Sequence, residues 1–360
     1  MITSILIVFL TIVILAVVHE FGHFIVAKKF GTRIEEFGIG YPPRIFGKKI
    51  GDVVYSLNWL PFGAFVKVKG EEGETNIEEA DNMSSKTIGQ RALIILGGVI
   101  SFWVFGTILL SIIFALGAPI SISDDILADN AKVQIASVEK KSPAEAAGIK
   151  IGDMVYQIKS SNSELNNIDK AKEVQDFIGA HLGQEIVMVV KRGSETLNMN
   201  LVPRLVAPEG QGVTGIGLAR TVIKKYSLIR STLEGFRTCL DLTFQILIGL
   251  AKAIGGIIYK QPTGVELIGP IGIGSLLNQA INAGFVYYLQ FVAVVSIHLA
   301  ITNILPIPVA DGGRLLFLGI EKIKKSPLNP KTEQKFNAVF FVLLIIMMFF
   351  VTIKDIVKLF

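Results

Sequence analysis

Long apolar runs constrain this chain more than any other feature of its sequence. A helix needs roughly 20 mainly apolar residues to span a bilayer. The runs that reach or approach this length are 2–27, 92–118, 285–310 and 336–353. Hydrophobic residues make up 51% of the 360 and charged residues only 18%, which excludes a disordered chain, a coiled coil or a small disulfide scaffold. The sequence therefore predicts an α-helical polytopic membrane protein with about four transmembrane helices.

The basic residues near the ends of these runs indicate the orientation of the helices, because cytoplasmic loops are enriched in lysine and arginine. Such residues follow the first run, precede the second and separate the third from the fourth. All of them lie on one side if the N-terminus is outside. The loops 29–91 and 314–335 are then cytoplasmic, and the stretch 119–284 is extracytoplasmic. The net charge of +5 is mild, and we expect no nucleic-acid partner.

The region 206–284 is predicted to be helical and amphipathic. Between 226 and 259, charged residues recur at helical spacing, and apolar residues form the opposite stripe. The charged residues are Arg230, Glu234, Arg237 and Asp241, and the apolar residues are Leu233, Phe236, Leu240, Phe244 and Leu247. This pattern favours a helix that lies on the membrane surface or covers another domain. A fifth transmembrane span is the alternative.

Residues 130–205 alternate apolar and polar positions and predict an inserted extracytoplasmic α+β domain. We expect strands at 133–138 and 154–158, a short helix capped by Ser142, a helix at 169–182 and a hairpin over 185–201. The run SPAEAAGIKIGDMVYQI resembles the fingerprint of a bacterial PDZ domain. The resemblance implies a peptide ligand, because PDZ domains bind peptides by adding a strand to a sheet edge. A rigid spacer that binds nothing is the alternative.

One pattern in the first run indicates metal-binding chemistry. His19-Glu20-Phe21-Gly22-His23 is an H-E-x-x-H motif, and composition alone predicts about 0.002 such patterns in a chain of this length. Because four residues make about one helical turn, both imidazoles point the same way and can hold one Zn²⁺. Glu20 lies beside them, where it can take a proton from a metal-bound water.

The membrane setting strengthens this interpretation. An ionisable group inside an apolar span costs roughly 2.5–3.5 kcal/mol on insertion scales, and three such groups together need a compensating partner. A bound cation would supply that partner. Hydrogen bonds across the helix bundle, or a water-lined cavity, are the alternative.

A third ligand is expected, because a catalytic zinc site has three protein ligands and one open position. Asp311 is the strongest candidate, since it closes the third run in NILPIPVADGG. Pro306, Pro308 and two glycines break the helix there, and broken backbone is tolerated at membrane depth only where it faces protein or a cavity. Two alternatives stay open: Asp311 caps the following helix, or His298 is a ligand.

The two motifs HEFGH and NILPIPVADGG resemble the signature motifs of the site-2 protease family, which are intramembrane zinc metalloproteases. Further stretches resemble the bacterial branch of that family: GHFIVAKKFGTRIEEFGIG, PFGAFVKVKGEEG, QRALIILGG and LIGPIGIG. With a single PDZ domain between the second and third spans, the resemblance covers nearly the whole chain. It implies that His19, His23 and Asp311 are zinc ligands and that Glu20 is the general base.

The resemblance also implies how substrate is held. Asn303 matches an asparagine thought to orient substrate or stabilise the oxyanion, and Pro306 and Pro308 are expected to help bind substrate. Three segments resemble membrane-associated β-hairpins that are thought to pair with an unwound substrate: 34–40, 53–58 and 62–69. The positions that depart from the family pattern include no metal ligand and not the base: Ala64, Phe65, Val99, Phe102 and Ala310.

Together these interpretations divide the chain into consecutive parts. They are the first transmembrane helix (1–28), a cytoplasmic-side loop with membrane-associated hairpins (29–91), the second transmembrane helix (92–118), the PDZ domain (130–205), the amphipathic region (206–284), the third transmembrane segment (285–313), a cytoplasmic loop (314–335) and the fourth transmembrane helix (336–356).

The function implied is intramembrane proteolysis dependent on Zn²⁺, with a zinc-bound water attacking the peptide bond. Its expected partners are membrane lipid and single-pass transmembrane substrates that have already been trimmed, such as an anti-sigma factor or a remnant signal peptide. The resemblance implies a bacterial inner membrane, with the site near the cytoplasmic face. A non-catalytic PDZ scaffold and a metal transporter are the alternatives, and the presence of Glu20 favours the protease over the scaffold.

Overall fold

The computed structural model describes residues 2–71, 79–139, 141–193, 195–208, 211–259, 268–326 and 329–359. The chain forms two compact units. The membrane unit comprises Met1–Leu110, Leu233–Asn278 and Gln290–Phe360, and the sheet unit comprises Ser111–Thr232 and Gln279–Leu289. The α-helices are α1 (Ile2–Lys29), α2 (Ile88–Leu116), α3 (Pro143–Ala146), α4 (Ala171–Ala180), α5 (Leu228–Tyr259), α6 (Pro270–Ala283), α7 (Phe285–Ile304), α8 (Asp311–Lys324) and α9 (Pro330–Leu359). The strands are β1 (Ile34–Ile50), β2 (Val53–Val68), β3 (Ala118–Ser121), β4 (Lys132–Val138), β5 (Met154–Lys159), β6 (Glu164–Leu165), β7 (Ile186–Arg192), β8 (Glu195–Leu201) and β9 (Ile216–Lys224).

The long apolar runs form helices, as expected, because a helix satisfies its own backbone polar groups where water is scarce. Within the described part of the chain, five helices are long and apolar enough to cross a membrane: Leu6–Lys29, Ile88–Leu116, Leu228–Gly256, Phe285–Ile304 and Lys331–Val357. Several apolar helices are therefore confirmed. The span of Leu228–Gly256 lies in α5, for which the charge pattern favoured a surface helix, so the number of helices that cross stays a prediction.

The third apolar run forms a helix over only part of its length. α7 ends at Ile304, and residues 305–310 are not helical. α8 begins at Asp311, so the helix breaks within the segment that holds both prolines, where the sequence predicts a break.

β1 and β2 form a bent antiparallel sheet in the membrane unit. Residues 34–39 pair with 64–68 on one edge and with 54–57 on the other, and 44–50 pair with 53–58. The three segments predicted to form hairpins thus lie in these two strands, except that the third was predicted to end one residue later, at 69. Phe24 and Ala27 of α1 and Phe37 of β1 belong to one buried apolar cluster, which joins this sheet to the first helix. The stretch 64–68 is left at an edge of the sheet.

The sheet unit contains an antiparallel sheet in the order β3-β9-β4-β5-β7-β8, with β6 beside β5. Its core includes Val133, Ile158, Ile186 and Val190, all of which are fully buried, together with Val174 of α4. The predicted strands, hairpin and two helices of residues 130–205 all form, with ends that differ by one to two residues from those expected. Ser142 caps α3, since its Oγ accepts a hydrogen bond from the Glu145 N–H.

The end predicted for this domain, residue 205, differs from the structure. β9 lies in the region 206–284, which the sequence assigned to amphipathic helix, yet it pairs with β4 and β3 inside the sheet. Its polar and apolar residues do not alternate over enough positions to separate it from a loop. Arg220 anchors it: the guanidinium is buried and donates to Asp169 and to the carbonyls of Ser123 and Ile126.

Candidate metal centre

The H-E-x-x-H motif lies in the second half of α1. His19 and His23 are one helical turn apart, and their Nε2 atoms are 3.2 Å from each other. His23 Nδ1 donates a hydrogen bond to the carbonyl of Ile94 on α2 at 2.9 Å, which leaves His23 Nε2 as a lone-pair atom that can bind a cation. One helical turn therefore brings the two imidazoles to the same side of α1, as the spacing in the sequence predicts.

Glycines let α2 approach these imidazoles. A Cβ at Gly98 would collide with the rings of both His19 and His23, and a Cβ at Gly97 would lie 2.6 Å from the Gly22 carbonyl oxygen. Small residues at a crossing of two membrane helices allow such close backbone contact. Only glycine fits at position 98 while both imidazoles stay in place.

The broken segment after α7 brings Asp311 to the same place. Ala310 is the N-cap residue of α8, so the side chain of Asp311 is not used as the cap. Gly312 and Gly313 follow in close contact with backbone, since a Cβ on either one would collide with carbonyls of residues 304–307. The alternative in which Asp311 serves as a helix cap is thereby wrong.

Three possible ligand atoms converge in the structure. Asp311 Oδ2 is 3.3 Å from His19 Nε2 and 3.4 Å from His23 Nε2. Two atoms that are each about 2.0–2.1 Å from a zinc ion, and separated by the tetrahedral angle, lie about 3.3–3.4 Å apart. The Oδ2 atom is also buried and receives no hydrogen bond from the described residues. This donor set and its spacing fit Zn²⁺ with one coordination position left open.

Glu20 is held beside this cluster by the edge of the sheet. Its Oε2 accepts a hydrogen bond from the backbone N–H of Val66 at 3.0 Å. Val66 belongs to the stretch 64–68, so the N–H comes from the edge that no other strand covers among the described pairings. One carboxylate of α1 thus contacts the edge where an added strand would pair.

A cleft of about 490 Å³ opens onto these groups. It is lined by His19, Glu20, His23, Glu35, Tyr41, residues 64–71, Asn303, Pro308, Val309, Asp311, Arg314 and Asn337. Arg314 forms an ion pair with Glu71. Burial lowers the pKa of Arg314, but Glu71 and Asp311 outweigh it, and the pKa of this guanidinium is raised overall. Arg314 therefore stays charged beside the cluster.

Of the remaining residues predicted to belong to the site, some line the cleft and others do not. Asn303 and Pro308 line the cleft, and Pro306 is not among its lining residues. Asn303 Nδ2 donates to the Leu299 carbonyl at 2.9 Å. His298 is exposed, its Nδ1 bonds to the Val294 carbonyl, and it is absent from the metal-ligand cluster found among the described residues.

Sequence reasoning missed several residues of the cleft. The ion pair of Arg314 with Glu71 joins positions 243 residues apart, so no local sequence pattern predicts it. Asn337 gives a weak signal, since it is the one polar residue between 336 and 351. The backbone N–H of Val66 gives none, because a main-chain donor is present at almost every position.

Known proteins resemble the chain along most of its length. The model of peptidase family M50 matches residues 7–347. A Clostridium perfringens protein named as a zinc metalloprotease is 34% identical over 343 residues, which cover 95% of each chain. The regulator of sigma-W protease RasP from Bacillus subtilis is 26% identical and covers 95% of each chain. The regulator of sigma-E protease RseP from Escherichia coli is 24% identical, with 93% of this chain and 94% of the relative covered.

Proposed function

Because the chain belongs to peptidase family M50 and is an intramembrane site-2 zinc metalloprotease, we propose that it cleaves transmembrane segments of single-pass membrane proteins that have already been trimmed. The observation that carries this proposal is the convergence of three ligand atoms, 3.2–3.4 Å apart, beside Glu20 on a membrane helix. A trimmed anti-sigma factor and a remnant signal peptide are examples of such substrates.

His19, His23 and Asp311 would hold the zinc. When bound, the ion would act as a Lewis acid and would lower the pKa of a water molecule in the site to about 7. Glu20 takes the proton from the attacking water and returns it to the leaving amine. Asn303 turns its amide from the Leu299 carbonyl toward the developing oxyanion and stabilises it.

The substrate must be extended before it can be cut, because the carbonyls of a helix are already hydrogen-bonded along the helix. The edge stretch 64–68 of β2 lines the cleft and can accept a substrate strand. Substrate backbone groups would then replace those lost from the helix. This is why a sheet lies beside a site on a membrane helix.

We assign the sheet unit to the PDZ fold, on the order of its elements and on the SPAEAAGIKIGDMVYQI run. It either binds the C-terminus that an earlier cut leaves, or acts as a size filter that keeps bulky ectodomains from the cleft. We predict that deleting residues 130–205 lets untrimmed substrates with long ectodomains be cut. Unchanged selectivity between trimmed and untrimmed substrates would contradict both.

The proposed topology follows the basic residues. The N-terminus and the PDZ domain are extracytoplasmic, and the loops 29–91 and 314–335 are cytoplasmic. His19 and His23 then lie late in a helix that runs inward, so the cut falls near the cytoplasmic face. A bacterial inner membrane is the proposed location.

Zinc analysis combined with cleavage of a transmembrane peptide tests the proposal. Glu20→Gln keeps the shape of the side chain and removes the base, so zinc should be retained while kcat falls by about 10²–10⁴-fold. Glu234→Gln, on α5 and not among the residues that line the cleft, is the matched control and should leave both unchanged. Full cleavage by Glu20→Gln would contradict the assigned base and favour a non-catalytic role for the site.

A further inference from the structure

The cleft contains a second carboxamide whose oxygen receives no hydrogen bond from the residues that the structure describes. Asn337 lies two turns into α9 and lines the cleft together with Glu20, Asp311 and Arg314. Its Oδ1 is buried, and none of the described residues donates a hydrogen bond to it. Buried polar atoms in folded proteins are nearly always satisfied, and an exception calls for an explanation. A donor that arrives with a bound molecule would supply one.

Asn337 also differs from its neighbours in α9 because it is polar. The residues from 336 to 351 are apolar except for this one. Phe336, Val339 and Phe341 are each more than half exposed, as expected of side chains that face lipid. A lone carboxamide in such a stretch is costly unless it faces a polar space, and the cleft is the polar space that it lines.

The other carboxamide of the cleft is engaged differently. Asn303 donates to the Leu299 carbonyl of its own helix, one turn earlier. The two asparagines therefore differ in what they offer an incoming peptide: the amide of Asn303 donates within its own helix, whereas Asn337 presents a buried acceptor to which no described residue donates. An acceptor of this kind suits a peptide N–H.

We propose that Asn337 is a substrate-positioning residue whose Oδ1 accepts a hydrogen bond from one backbone N–H of the unwound substrate. This inference rests on the proposed cleavage of transmembrane segments. A substrate strand paired with 64–68 has backbone donors and acceptors along both of its edges, and β2 satisfies only one edge. Asn337 satisfies a donor on the other edge.

The contact forms when substrate binds and persists in the transition state, so its loss weakens ground-state and transition-state binding alike. Asn337→Leu should therefore raise KM by about tenfold, while kcat and zinc content stay unchanged. Asn337→Gln, which keeps the acceptor on a longer side chain, should restore part of the affinity. Thr352→Val removes a polar group elsewhere in α9, where Thr352 bonds to the Met348 carbonyl, and is the matched control.

Peptide substrates with single amide-to-ester replacements identify the N–H. An ester removes one backbone donor, so the full-length enzyme should show a raised KM for the peptide that lacks the bonded N–H. With Asn337→Leu, that replacement should cause no further loss, whereas replacements elsewhere should add to the effect of the mutation. A purely structural role for Asn337 would not select one substrate position.

The inference is overturned if Asn337→Leu leaves KM unchanged, if it lowers kcat or zinc content instead, or if its effect adds to that of every ester. Wild-type enzyme and Glu20→Gln are measured on the same peptides. Absence of cleavage by the wild type, or full cleavage by Glu20→Gln, would count against the proposed function. A neutral Asn337→Leu beside an active wild type and an inactive Glu20→Gln would remove only this inference.

Discussion

The candidate metal centre and the sheet unit both bury charged groups, but the partners of those groups differ between the two regions. In the sheet unit, Asp153 is fully buried and accepts two hydrogen bonds from Arg192, each 2.7 Å long, and a third from the Lys150 N–H. In the metal centre, the buried Oδ2 of Asp311 has no described donor and faces two imidazole nitrogens.

This difference indicates a structural role for the Asp153 carboxylate and a ligand-binding role for the Asp311 carboxylate. A buried carboxylate that is fully hydrogen-bonded within the chain contributes to one folded arrangement. A buried carboxylate that meets only other possible ligands is the arrangement expected of a cation site. The pair in the sheet unit is complete within the chain, whereas we propose that a cation completes the cluster in the membrane unit.

The largest effect is expected from removing a ligand. His23→Ala leaves two ligands, and we expect zinc to be lost and cleavage of a transmembrane peptide to fall by at least about 10³-fold. His298→Ala is the matched control, since this histidine lies on another apolar helix and is exposed. Metal content and cleavage rate are measured on both variants. Zinc at full occupancy in His23→Ala would contradict the proposal that this cluster binds the ion.

A smaller effect is expected from crowding the ligands. Gly98→Ala places a methyl group against both imidazole rings, so the rings must shift and zinc affinity should fall by about 10–100-fold. Gly89→Ala, in the same helix with open space around it, should bind zinc like the wild type. Competition with a chelator measures both affinities. Equal affinities would show that the close approach of α2 does not position the ligands.

The smallest effect on cleavage is expected from the sheet unit. Asp153→Asn leaves the Arg192 guanidinium without its carboxylate and should destabilise this unit by about 3–5 kcal/mol. Zinc content and cleavage of a short transmembrane peptide should not change. Asp176→Asn, an exposed position on α4, is the control for stability. Proteolysis rates within 111–232 report the unfolding, and a parallel loss of zinc would show that the two regions are not independent.

The sequence predicts those parts of the site that depend on local periodicity. The spacing of His19 and His23 follows from one turn of helix, and Asp311 stands out because prolines and glycines interrupt an apolar run. The resemblance supplies the roles of Glu20 and Asn303. None of this requires knowledge of how the helices pack.

The parts that the sequence could not predict depend on packing between distant segments. The role of Gly98 becomes visible only when α2 lies against both imidazoles, and a glycine in an apolar helix is otherwise unremarked. The place of β9 in the sheet depends on pairing with β4, about 80 residues earlier. The same limit applies to Asn337: the sequence shows one polar residue in an apolar helix, and only the packed structure shows that this residue lines the cleft.

X-ray absorption at the zinc edge, on wild-type protein and on Asp311→Asn, tests the central claim most directly. The claim is that two imidazoles from α1 and one carboxylate from α8 bind a single zinc ion. We expect one zinc per chain in the wild type, with a first shell of two nitrogen and additional oxygen ligands at about 2.0–2.2 Å. Asp311→Asn should lose most of the metal. Full zinc occupancy with an unchanged first shell in Asp311→Asn would contradict the claim.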